Sequence, residues 1–278
     1  MSRIKLPELE QKDLFAYLVA NKKQLIRQKC MHPIKSDAVS FGVQFIKSGE
    51  VVKAMSVDME EDIIQVKVVG NTALFCDTYN DVLAPDCWKK TIKECGPKGA
   101  DLISHLACHD HDFEGVIGEP IDIYSEVIDL VTLGFDGPGS AQALVMVSNV
   151  LKAYDEKAYT LYKRGKVKQH SIGLQYVQLV LALNDENYKE EFATWNKYYK
   201  SIINKDKIDV DGYFWYVTEI KLYEISAVLW GANRLTPTLE VTTQPSDDTE
   251  KSDIPTDPKP GKLTSDQIKT RILLTKFI

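Results

Sequence analysis

Four of the chain's ten cysteines and histidines, His105, Cys108, His109 and His111, fall within seven positions. Neutral imidazole and thiolate at such spacings can converge on one zinc ion, so a zinc hydrolase built on His105, His109 and His111 is one reading. No further His, Asp or Glu cluster with ligand spacing follows downstream, and the preferred expectation is a site without metal or other cofactor. The second chemistry is nucleophilic. It needs a hydroxyl or thiol, an imidazole to take its proton, and a third group to orient that imidazole.

Ser171 is a candidate hydroxyl. It lies in Gln169-His170-Ser171-Ile172-Gly173-Leu174, strand-like sequence in which the glycine permits close backbone approach. Such a tripeptide is also what an ordinary sheet holds. The adjacent His170 is a poor base for it, because successive strand side chains point to opposite faces. The imidazole should therefore come from the 105–111 tract. Glu224 stands among Ile220, Leu222, Ser226 and Val228, which alternation puts on one face. A carboxylate there needs a partner, and a catalytic imidazole, a structural cation or solvent would each serve.

These residues require elements to hold them. Residues 8–28 read as an amphipathic helix, with Leu14, Leu18, Leu25 and Ile26 near one face. Residues 62–77 predict two strands joined by a hairpin turn at Gly70-Asn71. A short helix is expected over 83–95 and a strand over 101–108 running into the polar tract. Extended segments follow near 120–133 and 141–150. A helix near 153–164 should close at Gly165. Strand 168–182, a helix near 187–202 and strand 213–230 complete the pattern. Many strands interrupted by helices predict an α+β fold with a curved or closed antiparallel β-barrel core surrounded by helices.

Beyond 241 the composition changes. Residues 241–263 hold four prolines and five acidic residues with little apolar, the signature of a flexible acidic linker. Residues 264–278 then read as a short helix with an apolar set at Ile268, Ile272, Leu273 and Phe277. The expected organisation is an N-terminal helical extension over 1–50, a catalytic domain over 51–240, this linker and the terminal helix. Hydrophobic residues make up 44% and charged residues 27%, and no apolar run approaches the ~20 residues of a spanning helix, so no membrane role is expected. The N-terminus lacks the apolar core of a secretory leader, so a cytoplasmic protein is expected. A formal charge of -6 argues against general nucleic-acid binding. Five cysteines without paired spacing predict reduced thiols.

Three segments, in order, resemble the caudoviral prohead proteases, a family related in fold to the herpesvirus assemblins. They are His111-Asp112 with Ile117-Gly118, then Leu161 to Gly165 leading to Ser171-Ile172-Gly173-Leu174, then Glu224-Ile225-Ser226-Ala227-Val228 with Ala232-Asn233. An upstream stretch, Asp77-Thr78-Tyr79-Asn80-Asp81 with Ala84-Pro85, is also similar to the family's N-terminal motif. The resemblance spans about 65–240. Leu174 stands where an aromatic is common, and residues 180–212 are a longer excursion than the family usually has.

The resemblance implies an assemblin-like fold and a serine endopeptidase with a Ser-His-Glu triad. Ser171 inherits the nucleophile's role, His111 the base's and Glu224 the orienting carboxylate's. His111 is preferred to His109 by its distance to Ile117-Gly118, and Glu219 is the substitute for Glu224. Implied substrates are the scaffolding protein, the scaffold-like part of the major capsid protein and, through the acidic linker, the chain itself. Action is expected inside the assembling procapsid in the host cytoplasm. A homodimer is admissible. A catalytically silent assembly module with a protease-like fold is the rival from another class.

Overall fold

The computed structural model describes residues 6–31 and 62–243. It opens with α1 (Gln11–Ala20) and α2 (Lys22–Met31), then runs through β1 (Ile63–Thr72), β2 (Asp81–Leu83), α3 (Lys89–Cys95), β3 (Ser104–Ala107), β4 (Val116–Asp129) and β5 (Ser140–Leu151). α4 (Glu156–Lys163), β6 (Gln169–Leu183), α5 (Lys189–Tyr198), α6 (Lys205–Asp211), β7 (Tyr213–Val228) and β8 (Thr238–Thr243) complete it. Among the described residues no helix is long and apolar enough to cross a membrane. Residues 244–263 of the linker expected over 241–263 and the terminal helix expected at 264–278 lie outside the described residues, as do residues 32–61 of the N-terminal region.

The eight strands form one mixed sheet. Its backbone is β7, which pairs antiparallel with β6 along one side. Along the other it pairs parallel with β2 in its first half and with β3 in its second. β4, β5, β1 and β8 continue outward from β3, each antiparallel to the last. The fold is therefore α+β, as expected, but the sheet is neither wholly antiparallel nor closed into a barrel. β6 and β8 share no ladder. The chain just before β8 meets the start of β6 where His170 N–H donates to Thr236 O at 3.1 Å and Thr236 Oγ1 donates to His170 O at 2.7 Å, and Thr238 Oγ1 of β8 donates to Val167 O at 2.7 Å.

The sheet curls so that β1 packs over β6 and β7. A Cβ at Gly70 would lie 3.0 Å from Ile225 Cδ1 and 3.2 Å from Ile172 Cγ2, so this position admits only glycine without displacement. That close approach explains why Gly70-Asn71 is no hairpin turn. Both residues belong to β1, where the register with β5 shifts between Val69 and Asn71, a bulge in a strand interior. The core joins Ile64, Val66 and Val68 of β1 to Ile172, Leu174, Phe214, Leu222 and Ile225 of β6 and β7.

Helices cover this core with narrow apolar stripes. α4 begins on Asp155, whose carboxylate accepts the Ala158 N–H at 2.9 Å, and ends at Gly165 with φ +62°, as its sequence predicted. The single helix expected over 8–28 is two. They part at Asn21, whose side-chain and backbone N–H groups both donate to Tyr17 O, at 2.9 and 3.0 Å. Phe15 and Leu18 of α1 and Leu25 of α2 join the same core as β1, β6 and β7.

α2 is also held by charge. Lys29 Nζ lies 2.6 Å from Asp81 Oδ1, and 5.0 and 5.6 Å from the ring centres of Tyr176 and Trp215. Tyr176 donates to the other Asp81 oxygen at 2.5 Å. Asp77, whose Oδ1 accepts the Tyr79 and Asp81 N–H groups, has its carboxyl pushed up by burial and by the Asp81 charge. The segment 77–81 thus forms a compact acidic turn capped by a helix-borne lysine.

Candidate active site

The C-terminal half of β7 aligns the residues singled out in the sequence. Ser226 is paired with Ser171 of β6 on one side and with Leu106 of β3 on the other, and Glu224 is paired with Gly173 and Ser104. Because side chains alternate, Ser171, Glu224 and Ser226 share one face of the sheet. Glu224 is 1% exposed, whereas Ser171 is half-buried. Among the described residues the Ser171 hydroxyl has no hydrogen-bond partner.

The imidazole comes from the turn after β3. Asp110 N–H donates to Ala107 O at 2.9 Å, and the two central residues, Cys108 and His109, take φ values of +55° and +59°. Positive φ at both positions belongs to a turn that normally uses Asn and Gly. Two side-chain-bearing residues in this conformation cost about 1–3 kcal/mol each, and such strain concentrates at functional sites. The turn folds His109 back over β7. Its Nδ1 lies 2.6 Å from Glu224 Oε1.

Ser226 locks this arrangement. Its hydroxyl donates to Glu224 Oε2 at 2.6 Å and accepts the His109 N–H at 3.1 Å. One side chain thus fixes both the carboxylate and the backbone that carries the imidazole. The sequence had placed Ser226 on the Glu224 face without giving it work. The i, i+2 alternation along the strand that carries Glu224 was the signal available.

The carboxylate's partner is therefore His109, where spacing to Ile117-Gly118 had pointed to His111. β3 ends at Ala107, so the alternation that would have carried residues 109 and 111 along one strand face stops before either. His111 is exposed, two residues ahead of a short 3₁₀ turn, Phe113–Gly115. The substitute carboxylate, Glu219, meets Lys90 at 3.1 Å instead.

On the opposite face of the same strands lies a second histidine system. Buried His105 and His170 flank the Tyr162 hydroxyl of α4, at 3.1 and 2.9 Å. His170 Nδ1 is 3.1 Å from Thr236 O and His105 Nδ1 is 2.9 Å from Ser148 Oγ. A carbonyl can only accept, which fixes the protons. His170 donates from Nδ1 and accepts from Tyr162 at Nε2; Tyr162 in turn accepts from His105 Nε2, leaving His105 Nδ1 to accept from Ser148. Every ring nitrogen is engaged with both imidazoles neutral. His105 is thus occupied away from His109, and among the described residues no three His, Cys, Asp or Glu side chains are set to hold a metal ion. His170, set aside as base for Ser171 on strand geometry, packs beneath it.

Burial pushes the His105 imidazole down to about 3 and that of His170 down to about 4. An imidazole with a lowered folded pKa contributes stability that is lost as pH falls below its unfolded value of about 6.5. Asp77, raised in the folded chain, acts in the opposite sense and offsets one of the two protons. Chemical unfolding should therefore lose about 1.4 kcal/mol per pH unit on acidification below about 6.5. Asp77→Asn keeps the acceptor oxygen, removes the offset and should about double that slope.

A family model described as caudovirus prohead serine protease matches residues 52–252. No curated protein and no solved structure matches the chain. The matched span covers well over half of the sequence and encloses every strand of the sheet. The chain belongs to the prohead serine protease family of tailed phages, enzymes of capsid maturation.

Proposed function

We propose that the chain is a serine endopeptidase in which Ser171 is the nucleophile, His109 its general base and Glu224 the carboxylate that orients the imidazole. The observation that carries this reading is the 2.6 Å contact between His109 Nδ1 and Glu224 Oε1, made beside the row that pairs Ser226 with Ser171. With Nδ1–H donated to the carboxylate, Nε2 is the nitrogen left to take the Ser171 proton. The hydroxyl oxygen attacks the scissile carbonyl, and His109 returns the proton to the leaving amine. Water then attacks the acyl-enzyme with the same imidazole as base, restoring Ser171. Glu224, nearly fully buried, stabilises the imidazolium that forms in each half-reaction.

The substrates on this reading are the scaffolding protein, the scaffold-like part of the major capsid protein, or both, cut inside the procapsid in the host cytoplasm. The acidic stretch beyond 243 is the proposed site of self-cleavage. Co-expression with the major capsid and scaffolding proteins of the same phage tests the proposal. Wild type should shorten at least one of them, by intact mass, and Ser171→Ala should leave all at full length. Processing that survives the substitution would refute the assignment.

Ser226→Ala should lower kcat by about 10- to 100-fold with little change in KM, because it releases the carboxylate and the turn without touching substrate. Ser226→Thr, which keeps the hydroxyl, should recover part of the loss.

A further inference from the structure

Leu229 and Trp230 follow directly on β7 and are 80% and 87% exposed. An exposed tryptophan beside an exposed leucine is unusual on a surface that has no partner to meet. Their backbone is firmly held. Val228 still pairs with Gln169 of β6, the Gln169 side chain accepts the Gly231 N–H at 3.1 Å, and Thr78 N–H donates to Ala232 O at 3.2 Å. A Cβ at Gly231 would lie 2.7 Å from His170 O, so the segment passes tightly against β6. The two side chains are presented from a rigid support, not from a slack loop.

Their position relative to Ser171 is set by register. Ser171 is paired with Ser226, and Trp230 lies four residues further along the same chain, two past the last paired residue. At about 3.3 Å per residue this is within reach of three or four residues of an extended polypeptide. The other direction along β6 is covered. Gln175 donates to Cys30 O of α2 at 2.8 Å, and the Cys30 thiol lies 3.9 Å from Val177 O. An extended chain held over Ser171 therefore has its open path at the Leu229–Trp230 end.

We infer that Leu229 and Trp230 form an apolar subsite that receives a hydrophobic side chain of the substrate polypeptide within about four residues of the scissile bond. This inference rests on Ser171 being the nucleophile. A flat, rigid indole offers a large contact area at small entropic cost, which suits a protease that must capture an extended and otherwise featureless segment.

The test is cleavage of a mixed peptide library derived from a whole proteome, read by mass spectrometry, alongside labelling of Ser171 by a small alkyl fluorophosphonate. Wild type should enrich aliphatic or aromatic residues at one position near the cut. Trp230→Ala and the double variant Leu229→Ser, Trp230→Ala should lose that enrichment and cleave the preferred peptides about 10- to 100-fold more slowly. Their fluorophosphonate labelling rate should match wild type, since the probe is too small to reach the rim. Intact labelling with unchanged selectivity would overturn the subsite. Absence of labelling at Ser171 in wild type would instead overturn the nucleophile assignment.

Discussion

His109→Ala is expected to lower peptide cleavage by about 10⁴- to 10⁶-fold, the loss typical when a general base is removed from a serine nucleophile, while His111→Ala stays within a few-fold of wild type. The contrast follows from two residues of chain. His109 meets a carboxylate that is 1% exposed, and His111 stands exposed on the polar tract beyond it. A hydroxyl whose proton has nowhere to go attacks a peptide poorly, and on the proposed assignment the imidazole that accepts it is the one held by Glu224. Steady-state rates with a cleaved peptide, together with circular dichroism to show that the fold persists, check this. Equal losses in both variants would contradict it.

The second large effect concerns stability. Lys29→Ala is expected to cost about 3–5 kcal/mol, because it leaves Asp81 buried without its cation. Asp81 is 1% exposed and Lys29 is 13% exposed. Their ion pair sits under α2 and is walled by Tyr176 and Trp215. Lys29→Met combined with Asp81→Asn removes both charges, keeps an acceptor for the Tyr176 hydroxyl and should recover most of the loss. Urea unfolding of wild type and these two variants measures the difference directly. A Lys29→Ala cost below about 1 kcal/mol would place the pair among ordinary surface ion pairs.

Much of this was legible in the sequence, for reasons that are local. β6 and β7 are long β-rich segments, so alternation alone put Ser171 opposite His170 and Glu224 beside Ser226. Gly165 announced the end of α4. Chain pairing was less legible, because contacts between distant segments leave no periodic trace. Nothing near residues 81–83 or 104–107 says that these short strands run parallel to β7. Gly70-Asn71 has the composition of a turn, yet it serves the close packing of β1 on Ile172 and Ile225.

That His109, and not His111, meets Glu224 was hidden from the sequence for a specific reason. Reading it required knowing that Cys108 and His109 both adopt positive φ; His is enriched there only relative to other side-chain-bearing residues, and Cys carries no such signal. A Gly or Asn at either position would have signalled the turn. β8 was missed because its residues 241–243 were read as the start of the linker. α6 was missed because its seven residues bury only Ile208 and show no long periodicity.

The most direct measurement is the site of covalent modification by a small alkyl fluorophosphonate, mapped by mass spectrometry on the full chain and on single alanine variants at 171, 109 and 111. A serine activated by His109 and oriented through Glu224 predicts one adduct, on Ser171. It should be absent in Ser171→Ala, strongly slowed in His109→Ala and undiminished in His111→Ala. An adduct on another residue, or one that depends on His111 and not on His109, would contradict the triad.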